Sequence, residues 1–356
     1  MPQPNHFPVF DKPGEPGSPA DPFKTLVMRL SQAFGPSGSE EAVRNLIRDE
    51  CRPLADEVRV DGLGNLIVRK RGAGGGVRRK VMLAAHMDEV GLMVTHVDQK
   101  GFLRFAPLGP LQPLALLGQR ALFANGAVGV IGRETKRAKP ELELERLYLD
   151  VGAIGASPVG VGVGDAAVLA GPFIDAGARV IGKALDNRIG CAILIETLRE
   201  LKKFSHDLYL VFTVQQQVGA RGATTSTFGI QPDLALAVDV THTGDTPEAE
   251  LMSVSLGQGP AIKVKDPGVL VSPLVRDALV EAARESKVPY QFEVSTSGST
   301  DTGAMQVARE GAHVGALSIP LRYMHTPSEM IDVNDAQNAV RLLLAFLVKP
   351  LQMSLQ

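Results

Sequence analysis

Four short, almost wholly apolar runs constrain this chain more than anything else in it. They are VMLAA (81–85), LYLVFTV (208–214), LALAVDV (234–240) and VGALSIP (314–320). Each has the length of a strand, and no apolar stretch reaches the roughly 18 residues of a membrane span. Runs without polar alternation suit strands covered on both faces. Helical periodicity fills the sequence around them, at 189–204, 272–286, 301–310 and 334–347. This alternation predicts an α/β fold: a mixed β-sheet covered by helices on both faces.

The flanking segments extend that plan. Residues 23–55 carry apolar positions at helical spacing. In PSGSEEAVRNLIRDEC, Ser37 or Ser39 is the expected cap, with Glu40 and Glu41 in the first turn and Ala42, Val43, Leu46 and Ile47 on the apolar face. VRVDGLGNLIVRK (58–70) reads as a hairpin, and GLMVTHVD (91–98) as a further strand. From 99 to 179 Gly, Pro and Val become frequent and short β-like pieces replace helices, which predicts a small inserted all-β domain. The expected organisation is a flexible tail over 1–22, an α/β domain over 23–98 plus 180–348, and the insertion between them.

Charge is nearly balanced, with 37 Lys and Arg against 39 Asp and Glu, so neither nucleic acid nor a membrane surface is an expected partner. The two basic stretches, RKRGAGGGVRRK (69–80) and KRAK (136–139), read as solvated turns. Two cysteines, Cys51 and Cys191, make no disulfide framework and fit a reducing compartment. The Pro-rich N-terminus has no apolar run and does not read as a signal peptide. A cytoplasmic protein is expected.

Ligands of open α/β sheets gather beyond the carboxyl ends of the strands. There, VMLAA leads into His86-Met87-Asp88, LALAVD ends in Asp239, VGALSIPLRYM runs into His325, and LYLVFTV ends in Gln215-Gln216-Gln217. Asp186 stands just before a long helix. Taken alone it reads more readily as a helix cap. Imidazoles and carboxylates at one sheet edge suit a divalent ion such as zinc, manganese or cobalt. Ser295–Thr300 is polar but lacks the lysine of a phosphate loop, no Gly-x-Ser-x-Gly elbow is present, and Cys191 reads as core. A glycosidase would need a carboxylate pair apart from these motifs, and none stands out.

HMDEVGLMV (86–94), GKALDNRIGC (182–191), VFTVQ followed by VGARGA (211–223), Asp239, and GSTDTGA with RYMHTPSEM (298–330) resemble the glutamyl-, leucyl- and deblocking-aminopeptidase family of two-metal peptidases. The resemblance implies two divalent ions, zinc, cobalt or manganese. His86 and Asp239 would hold the first, Asp186 would bridge, and His325 would hold the second, with Asp88 orienting His86. It also implies peptides with free N-termini as substrates and a large homo-oligomer, such as a dodecamer, assembled through the inserted domain. The family pattern has two adjacent glutamates after VFTVQ, the general base and a ligand of the second ion. Here they are Gln216 and Gln217.

An amide cannot take a proton at neutral pH, and losing a positioned general base costs about 10²–10⁴ in rate. Losing a carboxylate leaves the repulsion between two cations less compensated. The expected activity is therefore an impaired or altered aminopeptidase with a weak second metal site. Several alternatives stay open. The chain is a non-catalytic peptide-binding or assembly protein; another carboxylate, such as Glu89 or Asp245, has taken over; Gln217 still ligates and a weak peptidase survives; or the glutamines are substitutions that trap substrate.

Overall fold

The structure, a computed structural model, describes residues 21–73, 78–134, 143–152, 160–249 and 251–349. The KRAK stretch and nearly all of the expected N-terminal tail lie outside these residues. Helix α1 (Pro22–Gln32) starts where Asp21 accepts a hydrogen bond from the backbone N–H of Phe23 and proline takes the first helical position. Helix α2 (Glu41–Cys51) begins later than its capping signal suggests. Neither Ser37 nor Ser39 caps it; the capping position is Glu40, with no side-chain cap bond. Ser37 instead gives its hydroxyl to Asp88. The hairpin β1 (Glu57–Val60) and β2 (Leu66–Lys70) comes next, as expected, then β3 (Lys80–His86).

Six strands then close into a barrel: β4 (Gly91–Val97), β5 (Leu103–Leu108), β6 (Arg120–Phe123), β7 (Val128–Arg133), β8 (Leu147–Asp150) and β9 (Ala166–Leu169), with the short helix α3 (Pro113–Leu116) between β5 and β6. The barrel has its own core, including Leu92, Leu103, Ile131, Leu149 and Ala167. Its limits differ from the expected 99–179. β4 pairs with β5 and β9, so the barrel begins at Gly91. At the other end, β10 (Ile174–Ala176) and β11 (Arg179–Gly182) already belong to the large sheet. Strand alternation in GLMVTHVD says that β4 is a strand but not which sheet it joins.

The chain then alternates: α4 (Leu185–Glu200), β12 (Asp207–Thr213), α5 (Arg221–Ile230), β13 (Leu234–Thr241), β14 (Ala261–Asp266), β15 (Val269–Leu270), α6 (Pro273–Ser286), β16 (Gln291–Val294), α7 (Asp301–Gln306), β17 (His313–Arg322), β18 (Glu329–Asp332) and α8 (Val333–Val348). The large sheet has 12 strands, ordered β1-β2-β12-β3-β13-β17-β18-β11-β10 along its main path, and β14–β16 branch from β17. The four apolar runs are its centre. β12, β3, β13 and β17 lie side by side and parallel.

Burial on the two faces obeys strand parity. Val81, Leu83 and Ala85 of β3 and Leu234, Leu236 and Val238 of β13 pack with α1, α2, α4, α6 and α8 in the larger core. The alternate residues Met82, Ala84, Ala235 and Ala237 meet Ala223 of α5 and Met305 of α7. Continuing the period of two puts His86 and Asp239 on this second face, at the carboxyl ends of adjacent parallel strands. Two helix expectations change. α7 stops at Gln306 rather than 310, and α5 was not foreseen because RGATTSTFGI lacks a clear apolar stripe.

Candidate metal centre

Parity and strand order bring His86, Asp186 and Asp239 together. Nε2 of His86 lies 3.1 Å from Asp186 Oδ1 and 3.6 Å from Asp239 Oδ1. One ligand atom from each of the three falls within 4.8 Å of the others, and all three residues are buried. Nδ1 of His86 sits 3.0 Å from the backbone carbonyl of Asp88, which can only accept, so Nδ1 carries a proton and Nε2 is the nitrogen turned to the cluster, able to ligate an ion once it gives up its own proton. This is the orientation a metal-bound histidine needs. Asp186 is not a helix cap. Ala184 holds that position, and Asp186 itself has non-helical dihedrals and a cis peptide bond to Asn187.

The other oxygen of Asp186 faces a different set. His325 Nε2 lies 3.0 Å from Asp186 Oδ2, and the Gln217 side-chain amide donates to that same oxygen at 2.9 Å. All four residues expected to converge therefore do so, with Asp186 between two groups. Gln216 also lines the cleft, but its amide donates to the Ser299 carbonyl at 3.1 Å. Asp88 holds both glutamines by their backbone. Its Oδ1 accepts from Gln216 N–H at 2.9 Å and its Oδ2 from Gln217 N–H at 3.0 Å.

Two loops are held by carboxylates that the sequence did not single out. Gln215 (φ 56°) and His325 (φ 63°) both adopt left-handed backbone, which for residues with a Cβ costs on the order of 1–3 kcal/mol. Glu40 accepts from Gln215 N–H at 3.0 Å, and Glu329 accepts from His325 N–H at 2.8 Å and from Asp186 N–H at 2.9 Å. The Glu40–Gln215 and Glu329–Asp186 contacts are long-range and emerge only in the folded chain, whereas Glu329 reaches His325 from four residues away. Glu89 and Asp245, the candidate replacement carboxylates, are engaged elsewhere. Glu89 binds buried Lys183 at 2.7 and 2.8 Å and Arg188 at 3.1 Å, and Asp245 pairs with Arg322 at 2.6 Å. Arg188, fully buried, also donates to the carbonyls of Met87, Leu30, Ala33 and Gly35 and so fixes the loop behind His86.

The electrostatics favour a cation among these groups. Burial pushes the His86 pKa down, but hydrogen bonds to Asp186, Asp239 and Asp88 outweigh it and hold it well above the ordinary value. Burial also works against charge on Asp186, yet hydrogen bonds to His325 and His86 pull its pKa far below the usual range. Asp239 moves up, through burial and then the neighbouring Asp186 charge. Burial lifts Asp301, whose Oδ2 accepts from Thr213 at 2.6 Å, to about 7.

The donors on the Oδ1 side fit a divalent ion: one imidazole and two carboxylates, converging and oriented from behind. Those on the Oδ2 side do not fit a second ion in the same way. Gln217 brings a neutral amide, turned with its N–H toward Asp186 Oδ2, in place of a charged ligand, and leaves His325 and the shared Asp186 as the imidazole and carboxylate of that side.

The cleft encloses about 220 Å³. The metal cluster, Gln216 and Gln217 line one part. Thr241, Lys263, Glu293, Ser295 and Ser299 line another. The segment 295–300, unremarkable as a phosphate loop, is thus a wall of the site.

A family model described as M42 glutamyl aminopeptidase matches residues 64–342. The chain belongs to the M42 aminopeptidase family. A relative from Acetivibrio thermocellus is 46% identical over 321 residues, covering 89% of this chain and 96% of the relative. Among solved structures, aminopeptidase APDkam598 from the archaeon Desulfurococcus kamchatkensis superposes with a TM-score of 0.87 at 37% identity, over 92% of this chain and 95% of that one. The Pyrococcus horikoshii TET1 peptidase, described as able to assemble into a tetrahedron or a large octahedral shell, gives a TM-score of 0.81 at 29% identity, over 92% and 100%. The mixed sheet with its helices is thus the M42 fold. M42 enzymes are metal-dependent aminopeptidases, and this chain is an enzyme of that class by resemblance. Among the described residues, no helix is long and apolar enough to cross a membrane.

Proposed function

We propose that this M42 chain binds the free N-termini of peptides at a centre that holds one divalent ion firmly, and that it hydrolyses them poorly. The observation that carries this reading is the Gln217 amide donating to Asp186 Oδ2, where a second ion would need a lone pair. His86, Asp186 and Asp239 would hold the ion, zinc, cobalt or manganese. When bound, such an ion polarises a peptide carbonyl and acidifies a water.

The chain's own residues restrict the chemistry from there. Gln216 occupies the place of the proton acceptor and has none to offer at neutral pH, while its amide is tied to the Ser299 carbonyl. Asp88 keeps His86 and the 216–217 backbone in place, so positioning survives while proton transfer is lost. Glu89 and Asp245 are spent on ion pairs and do not replace the base. The cleft retains a polar wall able to receive a peptide end. Assembly into a homo-oligomer, with the barrel as a contact module, belongs to the same proposal, supported by the TET1 likeness and by outward-facing Val128 and Val130 on β7. A cytoplasmic location is consistent with the composition.

Calorimetric titration with zinc, cobalt and manganese tests the reading. One tight ion per chain is expected, with at most trace turnover of aminoacyl reporters, and binding of free but not acetylated dipeptides. Two equally tight ions with rapid turnover would overturn it. Indifference to acetylation would remove the N-terminus from the argument.

A further inference from the structure

We propose that Asn187 and Gly190, at the start of α4, are positioning residues: they set where Asp186 stands relative to Asp239 and so how tightly the centre holds its ion. This rests on the single-ion reading above. His86, Asp186 and Asp239 come from β3, the head of α4 and β13, so contacts between those elements must fix their spacing. Metal–ligand distances tolerate about 0.2 Å of error. Apolar burial has no direction and does not set that precision by itself.

Polar contacts at the head of α4 supply the direction. The residue after Asp186 reaches the strand of one ligand, and the next residue reaches the strand of the other. Asn187 Nδ2 donates at 2.8 Å to the Val238 carbonyl, immediately before Asp239. Arg188 Nε donates at 2.6 Å to the Met87 carbonyl, immediately after His86. Both side chains are fully buried. Asn187 is itself held, since its Oδ1 accepts from the Gly190 N–H at 3.2 Å. On the far side, Asp239 Oδ1 accepts from the Val240 N–H at 2.9 Å, so that carboxylate follows the stretch of backbone that Asn187 grips.

Gly190 lets the helix come this close. A Cβ there would lie 2.4 Å from Asn187 Oδ1 and 2.7 Å from the Val238 carbonyl oxygen. Ordinary carbon–oxygen contact is about 3.3–3.6 Å, so a methyl group would displace Asn187, the helix or the strand by about 1 Å. That is several times the error a metal site tolerates. Glycine is a poorer helix former than alanine, so its place inside α4 answers to the carbonyl beneath it.

The test titrates the full-length chain with cobalt(II), whose visible absorption depends on ligand geometry, beside Asn187→Ala and Gly190→Ala. Melting of each metal-free protein by circular dichroism reports folding separately, and turnover is not needed. Both variants are expected to bind cobalt about 10–100-fold more weakly. At saturation the absorption of their bound ion should also differ from that of the unaltered chain, which a purely structural role would not change. Folded variants with the same affinity and the same spectrum would overturn the proposal. So would failure of both to fold, which would make the pair a condition of folding and not of ion geometry. If the unaltered chain takes up no cobalt, the single-ion reading falls instead, and this inference with it.

Discussion

The two oxygens of Asp186 look onto halves of one centre that are built differently. On the Oδ1 side, His86 and Asp239 project from adjacent parallel strands, and both are nearly inaccessible. On the Oδ2 side, Gln217 and His325 come from loops, both half-buried, and His325 and the neighbouring Gln215 are in left-handed backbone. Strand order and pleat fix where the side chains of His86 and Asp239 lie and which face they take. The second half depends on loop conformations held by carboxylates, Glu40 from far along the chain and Glu329 from four residues away. Gln216 and Gln217, which the sequence reading sets against a family pattern of two glutamates, both fall on a loop. On the function proposed above, the part set by topology is kept and the part set by loops is the part that changes.

The largest effect should come from making the halves alike. Gln216→Glu with Gln217→Glu is expected to admit a second ion and raise peptidase turnover by about 10²–10⁴. Metal stoichiometry and steady-state rates check it. A double variant that binds one ion and stays slow would show that the asymmetry lies elsewhere. Next, His86→Ala should abolish tight ion binding, whereas His325→Ala should leave one ion per chain; equal losses in titrations of the two would erase the distinction. Smaller still, Asp88→Asn should weaken the ion on the Oδ1 side by about 10–100-fold, since the carboxylate, whose Oδ1 lies 3.4 Å from His86 Nδ1, acts through the histidine and not on the metal. Affinity by competition with a chromogenic chelator reads this directly.

The smallest effect concerns Asp301, behind the strand-borne half. Buried, it keeps its proton up to about pH 7, while an unfolded aspartate gives it up near 3.8. The folded state therefore holds the extra proton across that window, and stability falls as pH rises through it. Asp301→Asn should raise the melting temperature of the metal-free protein at pH 7.5, with the gain shrinking as pH falls toward 4. A gain independent of pH would place its origin outside this carboxyl.

Legibility in the sequence divides the same way. The four apolar runs announced the parallel centre of the sheet, and the residues just past them, His86, Asp239 and eventually His325, could be gathered because strand ends share one edge. The two glutamines stood out only against a family pattern. The loop-holding roles of Glu40 and Glu329 were not found: Glu40 holds a loop 175 residues away and leaves no local signature, and the four-residue link from Glu329 to His325 depends on a left-handed backbone that the sequence does not announce. The contact of Asn187 with the Val238 carbonyl was hidden as that of Glu40 was: the two residues are 51 apart and meet only where α4 packs on β13. The placement of β4 escaped too, since partner choice is not written in alternation.

Because Asp88 grips residues 216 and 217 by their peptide nitrogens, the scaffold is indifferent to what those residues carry beyond Cβ. Codons for glutamine and glutamate differ at a single base. On the function proposed above, a lineage could thus switch hydrolysis off and on again by point mutation without rebuilding its architecture.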